Sequence, residues 1–129
     1  MFSHVTLGVA DVAQAHTFYA PMMAALNVEP KFHEAGIMAG WQPPGAPHTL
    51  FVICQPFNDQ PASAGNGTMV AFDAQARAQV DACHALALGN GGSCEGPPGL
   101  RPQYHANYYG AYFRDLDGNK ICVCCHNPE

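Results

Sequence analysis

Charge is scarce in this chain. Only 12% of the residues are charged, and five basic residues face ten acidic ones. Five scattered cations cannot build the basic stripe that displaces counterions from phosphates, so nucleic acid is excluded as a partner. Long apolar runs are also missing. The opening stretch Met1-Phe2-Ser3-His4-Val5-Thr6-Leu7-Gly8-Val9 has no positive leader and breaks at Asp11. It is too short and too mixed for an export signal or a spanning helix, which predicts a cytoplasmic protein with no membrane partner. A second C-x-x-C is lacking, so Cys122-Val123-Cys124-Cys125-His126 cannot complete a zinc ribbon. Haem attachment at the same C-x-x-C-H spelling would require export. The six cysteines show no disulfide rhythm and read as free thiols.

What the chain does have is apolar surface to bury. At 48% apolar over 129 residues it is no disordered segment, and a chain of this size forms a core without staples. Residues 1–129 read as one domain. Phe2–Val9 reads as a buried strand. A helix follows, with Asp11 as its N-cap, Gln14 three residues on, and Val12, Ala15, Phe18, Tyr19, Met22 and Leu26 on one face. Pro21 predicts a kink or restart, and Asn27 a stop. Short strands follow at Lys31–Ala35, Ile37–Gln42 and Thr49–Cys54, and Asn58–Gly67 reads as a linker.

Then the pattern starts again. Thr68–Phe72 is a strand, and Asp73 or a neighbour caps a helix bearing Val80, Cys83, Leu86 and Ala87. Gly96-Pro97-Pro98-Gly99 reads as loop, Tyr108–Arg114 as a strand, Asp115-Leu116-Asp117-Gly118 as a hairpin turn and Asn119–His126 as the last strand. His4-Val5-Thr6-Leu7 falls on Met69-Val70-Ala71-Phe72 at an offset of 65 residues. A duplicated βαβββ unit results, module one at about 1–57 and module two at about 68–129. The fold class is α+β, with two βαβββ modules forming a half-open, barrel-like cleft.

His4-Val5-Thr6-Leu7-Gly8-Val9-Ala10-Asp11, Phe18-Tyr19 and Asp115-Leu116-Asp117-Gly118-Asn119-Lys120-Ile121 together resemble the vicinal oxygen chelate superfamily, which holds glyoxalase I, bleomycin resistance proteins and extradiol dioxygenases. Leu116 stands where relatives often carry proline. The resemblance implies metal ligands at four places: an imidazole at the first strand of each half and a carboxylate near the end of each last strand. Here His4 matches the first, Met69 stands at the second and Cys122 at a carboxylate position. No carboxylate occurs near Val52 or Cys54. A hard ion that takes substrate oxygens wants imidazoles and carboxylates, so one surviving ligand argues against the metal isomerase reaction.

The densest polar and aromatic run, Leu100 to Gly110, carries Tyr104, His105, Tyr108 and Tyr109. Tyrosines supply apolar walls with hydrogen-bonding tips. Candidate ligand-binding residues are His4, Met69, Tyr104, His105, Tyr108 and Cys122, with Cys124 on the same strand face as Cys122. Trp41 reads as core, and His16, His33, His84 and His126 receive no role. The reading is a metal-independent protein that holds a small aromatic or cationic molecule, with no cofactor, in a homodimer as the resemblance implies. The alternative is a metal-dependent lyase, isomerase or dioxygenase using a divalent ion on His4, His105 and Cys122.

Overall fold

The computed structural model describes residues 1–129. The chain forms β1 (His4–Gly8), α1 (Val12–Ala25), β2 (Glu29–Glu34), β3 (Met38–Gln42), β4 (Leu50–Cys54), β5 (Met69–Ala74), α2 (Arg77–Gly89), β6 (Ser93–Leu100), β7 (Tyr109–Arg114) and β8 (Lys120–Cys125). The order βαβββ thus occurs twice. Each half makes its own four-stranded sheet, β1-β4-β3-β2 and β5-β8-β7-β6, with one parallel pair, β1 with β4 and β5 with β8. Neither sheet closes on itself.

Alternation decides which face is buried. Leu7, Ala39, Trp41, Phe51 and Ile53 pack on α1 through Phe18, Tyr19, Met22 and Met23. Ala111, Phe113, Ile121 and Val123 pack with Val80, Cys83 and Ala87 of α2. All these residues belong to one core of 22, so the halves share their interior. Phe51 and Phe72 meet edge to face across the halves, with ring centres 4.9 Å apart. The alternate residues, among them His4, Thr6, Met69, Ala71, Cys122 and Cys124, fall on the opposite, open faces.

Asp11 caps α1 as expected, its carboxylate accepting from the Gln14 N–H at 3.0 Å. The helix runs without a break through Pro21, where an interruption was expected. Burial of Phe18, Tyr19, Met22 and Met23 on both sides of the proline outweighs the lost backbone bond. Asp73 lies within β5 and caps nothing. The N-cap of α2 is Ala76, and the Gln79 side chain accepts from the N–H groups of Gln75 and Ala76. Gly96-Pro97-Pro98-Gly99, expected as loop, lies in β6. That strand is the sheet edge, where proline removes no ladder bond on its outer side, and its register shifts twice beside the glycines.

The β7–β8 turn is tied into the first half. Gly118 supplies a φ of +84°. The buried Asp115 carboxylate accepts from the Tyr19 hydroxyl at 2.5 Å, from the N–H groups of Asp117 and Asn119 at 2.9 Å each, and from the Asn119 side-chain amide at 2.9 Å. Asn119 also donates to the Gly8 carbonyl at 3.2 Å, and Asp117 accepts from the Ala10 N–H at 2.8 Å. Burial, and then the Asp115 charge, push the Tyr19 hydroxyl far above its ordinary pKa, so it stays a donor.

Removing one donor from this carboxylate leaves a buried acceptor less satisfied. Tyr19→Phe should cost about 1–3 kcal/mol of stability in urea unfolding, and Asp115→Ala, which strands four donors, more. Losses below about 0.5 kcal/mol in both variants would show the cluster to be dispensable.

Candidate functional site

The open face of the second sheet is roofed by the loop that joins β6 to β7. In the first half the corresponding connection runs only from Glu34 to Met38; here it runs from Leu100 to Tyr109. Leu50 and Lys120 pair with His4 and Met69, which are 65 apart, yet they are themselves 70 apart. The repeat therefore lengthens across the segment that carries Tyr104, His105 and Tyr108. The loop folds back on itself through Arg101 N–H to the Tyr108 carbonyl at 2.8 Å and Tyr108 N–H to the His105 carbonyl at 3.1 Å. The Tyr108 ring then comes close to Gly110. A Cβ there would come within 2.8 Å of the Tyr108 ring, so any other residue would displace that ring.

Under Tyr108 lies a pair of thiols. Cys122 is fully buried, and the Tyr108 hydroxyl reaches both its sulfur, at 3.6 Å, and the Tyr112 hydroxyl, at 3.1 Å. Tyr108 has one proton. It serves either the sulfur or the Tyr112 oxygen. The Cys124 thiol is the strongest influence holding Cys122 down, to about 7, with the two tyrosine hydroxyls and the Arg101 charge adding to it against burial. Cys124 moves the other way: it donates to Cys122, is buried, and keeps its proton. Burial raises Tyr108 and Tyr112 as well.

The polar row continues along β8. The Cys124 sulfur stands 3.6 Å from His126 Nε2, and His126 Nδ1 is 2.8 Å from His105 Nε2. The Tyr104 ring lies 4.9 Å from that of Tyr108, tilted by 59°, and the residue is 62% exposed. Above this floor opens a concavity of about 600 Å³ lined by Met69, Tyr104, His105, Tyr108, Tyr112, Lys120 and His126. His4 lies elsewhere. It borders a narrower, mostly apolar cavity of about 210 Å³ with Phe2, Trp41, Phe51 and Phe72 among its walls, and its Nδ1 is 3.0 Å from the Ser3 hydroxyl.

A match to the family model for the Glyoxalase/Bleomycin resistance protein/Dioxygenase superfamily spans residues 1–123. The chain belongs to this superfamily. A glyoxalase/bleomycin resistance protein from Albidiferax ferrireducens T118 is 40% identical, with 99% of each chain covered and a TM-score of 0.86. A lactoylglutathione lyase from Agrobacterium tumefaciens shares the fold at 19% identity and a TM-score of 0.64, over 97% of this chain and 92% of its own. A superfamily enzyme from Burkholderia phytofirmans PsJN does so at 16% and 0.73, over 97% and 98%. No curated protein matches the chain.

Superfamily chemistry often runs on a divalent ion, and the donors here do not fit one. No group of three or more His, Cys, Asp or Glu side chains is arranged to hold a metal ion. The reason is geometric. His126 spends its two ring nitrogens in opposite directions, on Cys124 and on His105, so the donors form a line and do not converge on a point. Of the residues singled out from sequence, Met69, Tyr104, His105 and Tyr108 share a cavity, with Cys122 beneath it and His4 apart. Tyr112, Lys120 and His126 were missed. The signal was there: Lys120, Cys122, Cys124 and His126 fall at every second position, hence on one strand face.

With Cys54 and Cys94 replaced by serine, thiolate absorbance should rise with a midpoint near pH 7, and Tyr108→Phe, by removing a donor to the thiolate, should move the midpoint upward. Between that pH and 9.0, the ordinary thiol value, the folded chain releases a proton that the unfolded chain keeps, so stability rises with pH through this window. A wild-type midpoint above 9.0 would contradict the hydrogen-bond assignment.

Proposed function

We propose that this superfamily member binds a small planar molecule, without metal and without turnover, on the tyrosine-roofed face of the second sheet. The observation that carries the reading is the convergence of Met69, Tyr104, His105, Tyr108, Tyr112 and His126 on one concavity, at the sheet face where the resemblance would place metal ligands. Flat rings with polar tips grip a conjugated ligand by contact area and orient it by a few hydrogen bonds. The thioether of Met69 and the capped sulfur of Cys122 give the cavity a soft floor unsuited to a hard cation.

The alternative set of His4, His105 and Cys122 for a metal-dependent lyase, isomerase or dioxygenase is disfavoured by placement, since His4 opens to a different cavity from His105. The reading includes a homodimer. Large apolar groups away from the concavity are exposed, with Phe2 at 68% and Leu116 at 43%, and a second copy would cover them. It also includes a reducing, cytoplasmic setting, which suits two free thiols inside a binding site.

A thermal-shift screen of small aromatic acids, amines and alcohols, run with and without chelator, tests the reading. Stabilising compounds should act equally in both conditions and lose their effect in Tyr104→Ala. About one transition-metal ion per chain, lost in His4→Ala together with the stabilisation, would establish the metal enzyme instead. Light scattering should give twice the 13.7 kDa chain mass, and a monomer at micromolar concentration would remove the dimer.

A further inference from the structure

The chain carries five basic residues against ten acidic ones, and their pairing is uneven. Arg114 is held by Glu95 at 2.6 Å and Arg77 by Glu129 at 3.3 Å. Lys120 and Arg101 make no ion pair. Both stand at Tyr112 instead, the ammonium 5.9 Å and the guanidinium 5.7 Å from the centre of its ring. Arg101 is fixed there by its bond to the Pro97 carbonyl at 2.7 Å. Its group also lies against Gly96 and Gly99, where a Cβ would come within 3.4 and 3.0 Å of the guanidinium nitrogens.

Lys120 lines the concavity directly, along with two imidazoles and three phenol rings, and no carboxylate lines it. Glu95 feels Lys120 but is engaged by Arg114, and Asp73 of the same sheet face is held by the Gln75 amide at 3.4 Å. In a chain with a net charge of −5, a cavity lined by one lysine and no carboxylate, with Arg101 close by at the Tyr112 ring, is an electrostatic exception. A cationic guest would meet the Lys120 ammonium directly, and a neutral one would gain nothing from it.

Building on the binding reading above, we propose that the guest is a planar conjugated anion, an aromatic carboxylate or phenolate. Its ring lies in the angle between Tyr104 and Tyr108, and its charge faces Lys120, with Arg101 adding to the field from the Tyr112 ring. The volume of about 600 Å³ admits one or two fused rings. This replaces the cationic guest considered from sequence.

Three isosteric probes decide the sign of the charge: naphthalene carboxylate, naphthylmethanol and naphthylmethylammonium, titrated calorimetrically into the full chain. The carboxylate should bind about tenfold tighter than the alcohol, the ammonium more weakly than either, and added salt should erode the preference. Lys120→Gln and Arg101→Gln should each remove most of the preference, Lys120→Arg should keep it, and Tyr104→Ala should weaken all three probes. If Lys120→Gln does not fold, judged by circular dichroism, the Arg101→Gln variant decides alone. Alcohol or ammonium binding as tight as the carboxylate, and still sensitive to Tyr104→Ala, would overturn the anionic guest and leave the binding reading standing. Carboxylate binding indifferent to both charge variants would overturn it too. Failure of all three probes to bind would overturn the binding reading itself.

Discussion

Everything in this molecule hangs from the Asp115 carboxylate. It sits in the turn between the last two strands of the second half, yet one of its four hydrogen bonds comes from Tyr19, on the helix of the first half. Its neighbours extend the tie, Asn119 to the Gly8 carbonyl and Asp117 to the Ala10 N–H. A buried carboxylate is expensive to desolvate and is tolerated only when its oxygens are fully engaged. The knot therefore has one geometry, and that geometry sets the β7–β8 turn against α1 and the end of β1. Within the second sheet, with Lys120 opposite Met69, the side chains of Cys122 and Cys124 fall on the open face.

Much of this was readable in the chain. The offset of 65 between His4 and Met69 holds through the helices, because Val12 and Arg77 begin them at the same spacing. The apolar faces of both helices, the Asp11 cap and the Gly118 turn all obey local rules that need no tertiary knowledge. Superfamily membership was legible for the same reason, since the turn motif is a local chemical requirement. The errors came where tertiary context overrode local preference. Pro21 stays inside a helix because the core on either side of it is fully buried. Pro97 and Pro98 sit in a strand because that strand is an edge.

The site was half legible, and the missing half has a physical explanation. Tyr104, His105 and Tyr108 stood out as a dense run, and Met69 and Cys122 through the repeat. Lys120, Tyr112 and His126 belong to the site through strand alternation and through a loop that folds over them, which composition does not display. The separation of His4 from His105 depends on how the two sheets face, a property of packing that no single motif carries. The shared scaffold supplies the shape, and the residues at the open face supply whatever chemistry there is.

The same knot bears on how the chain comes to be folded. Tyr19 and Asp115 are 96 residues apart, so during synthesis the first half leaves the ribosome long before its buried hydroxyl has a partner. Until the final hairpin emerges, α1 can settle on its own sheet, but its edge toward the second half stays open. The first half must wait in that state as an exposed intermediate, and the β7–β8 hairpin, which carries Asp115, is what ends its exposure to aggregation.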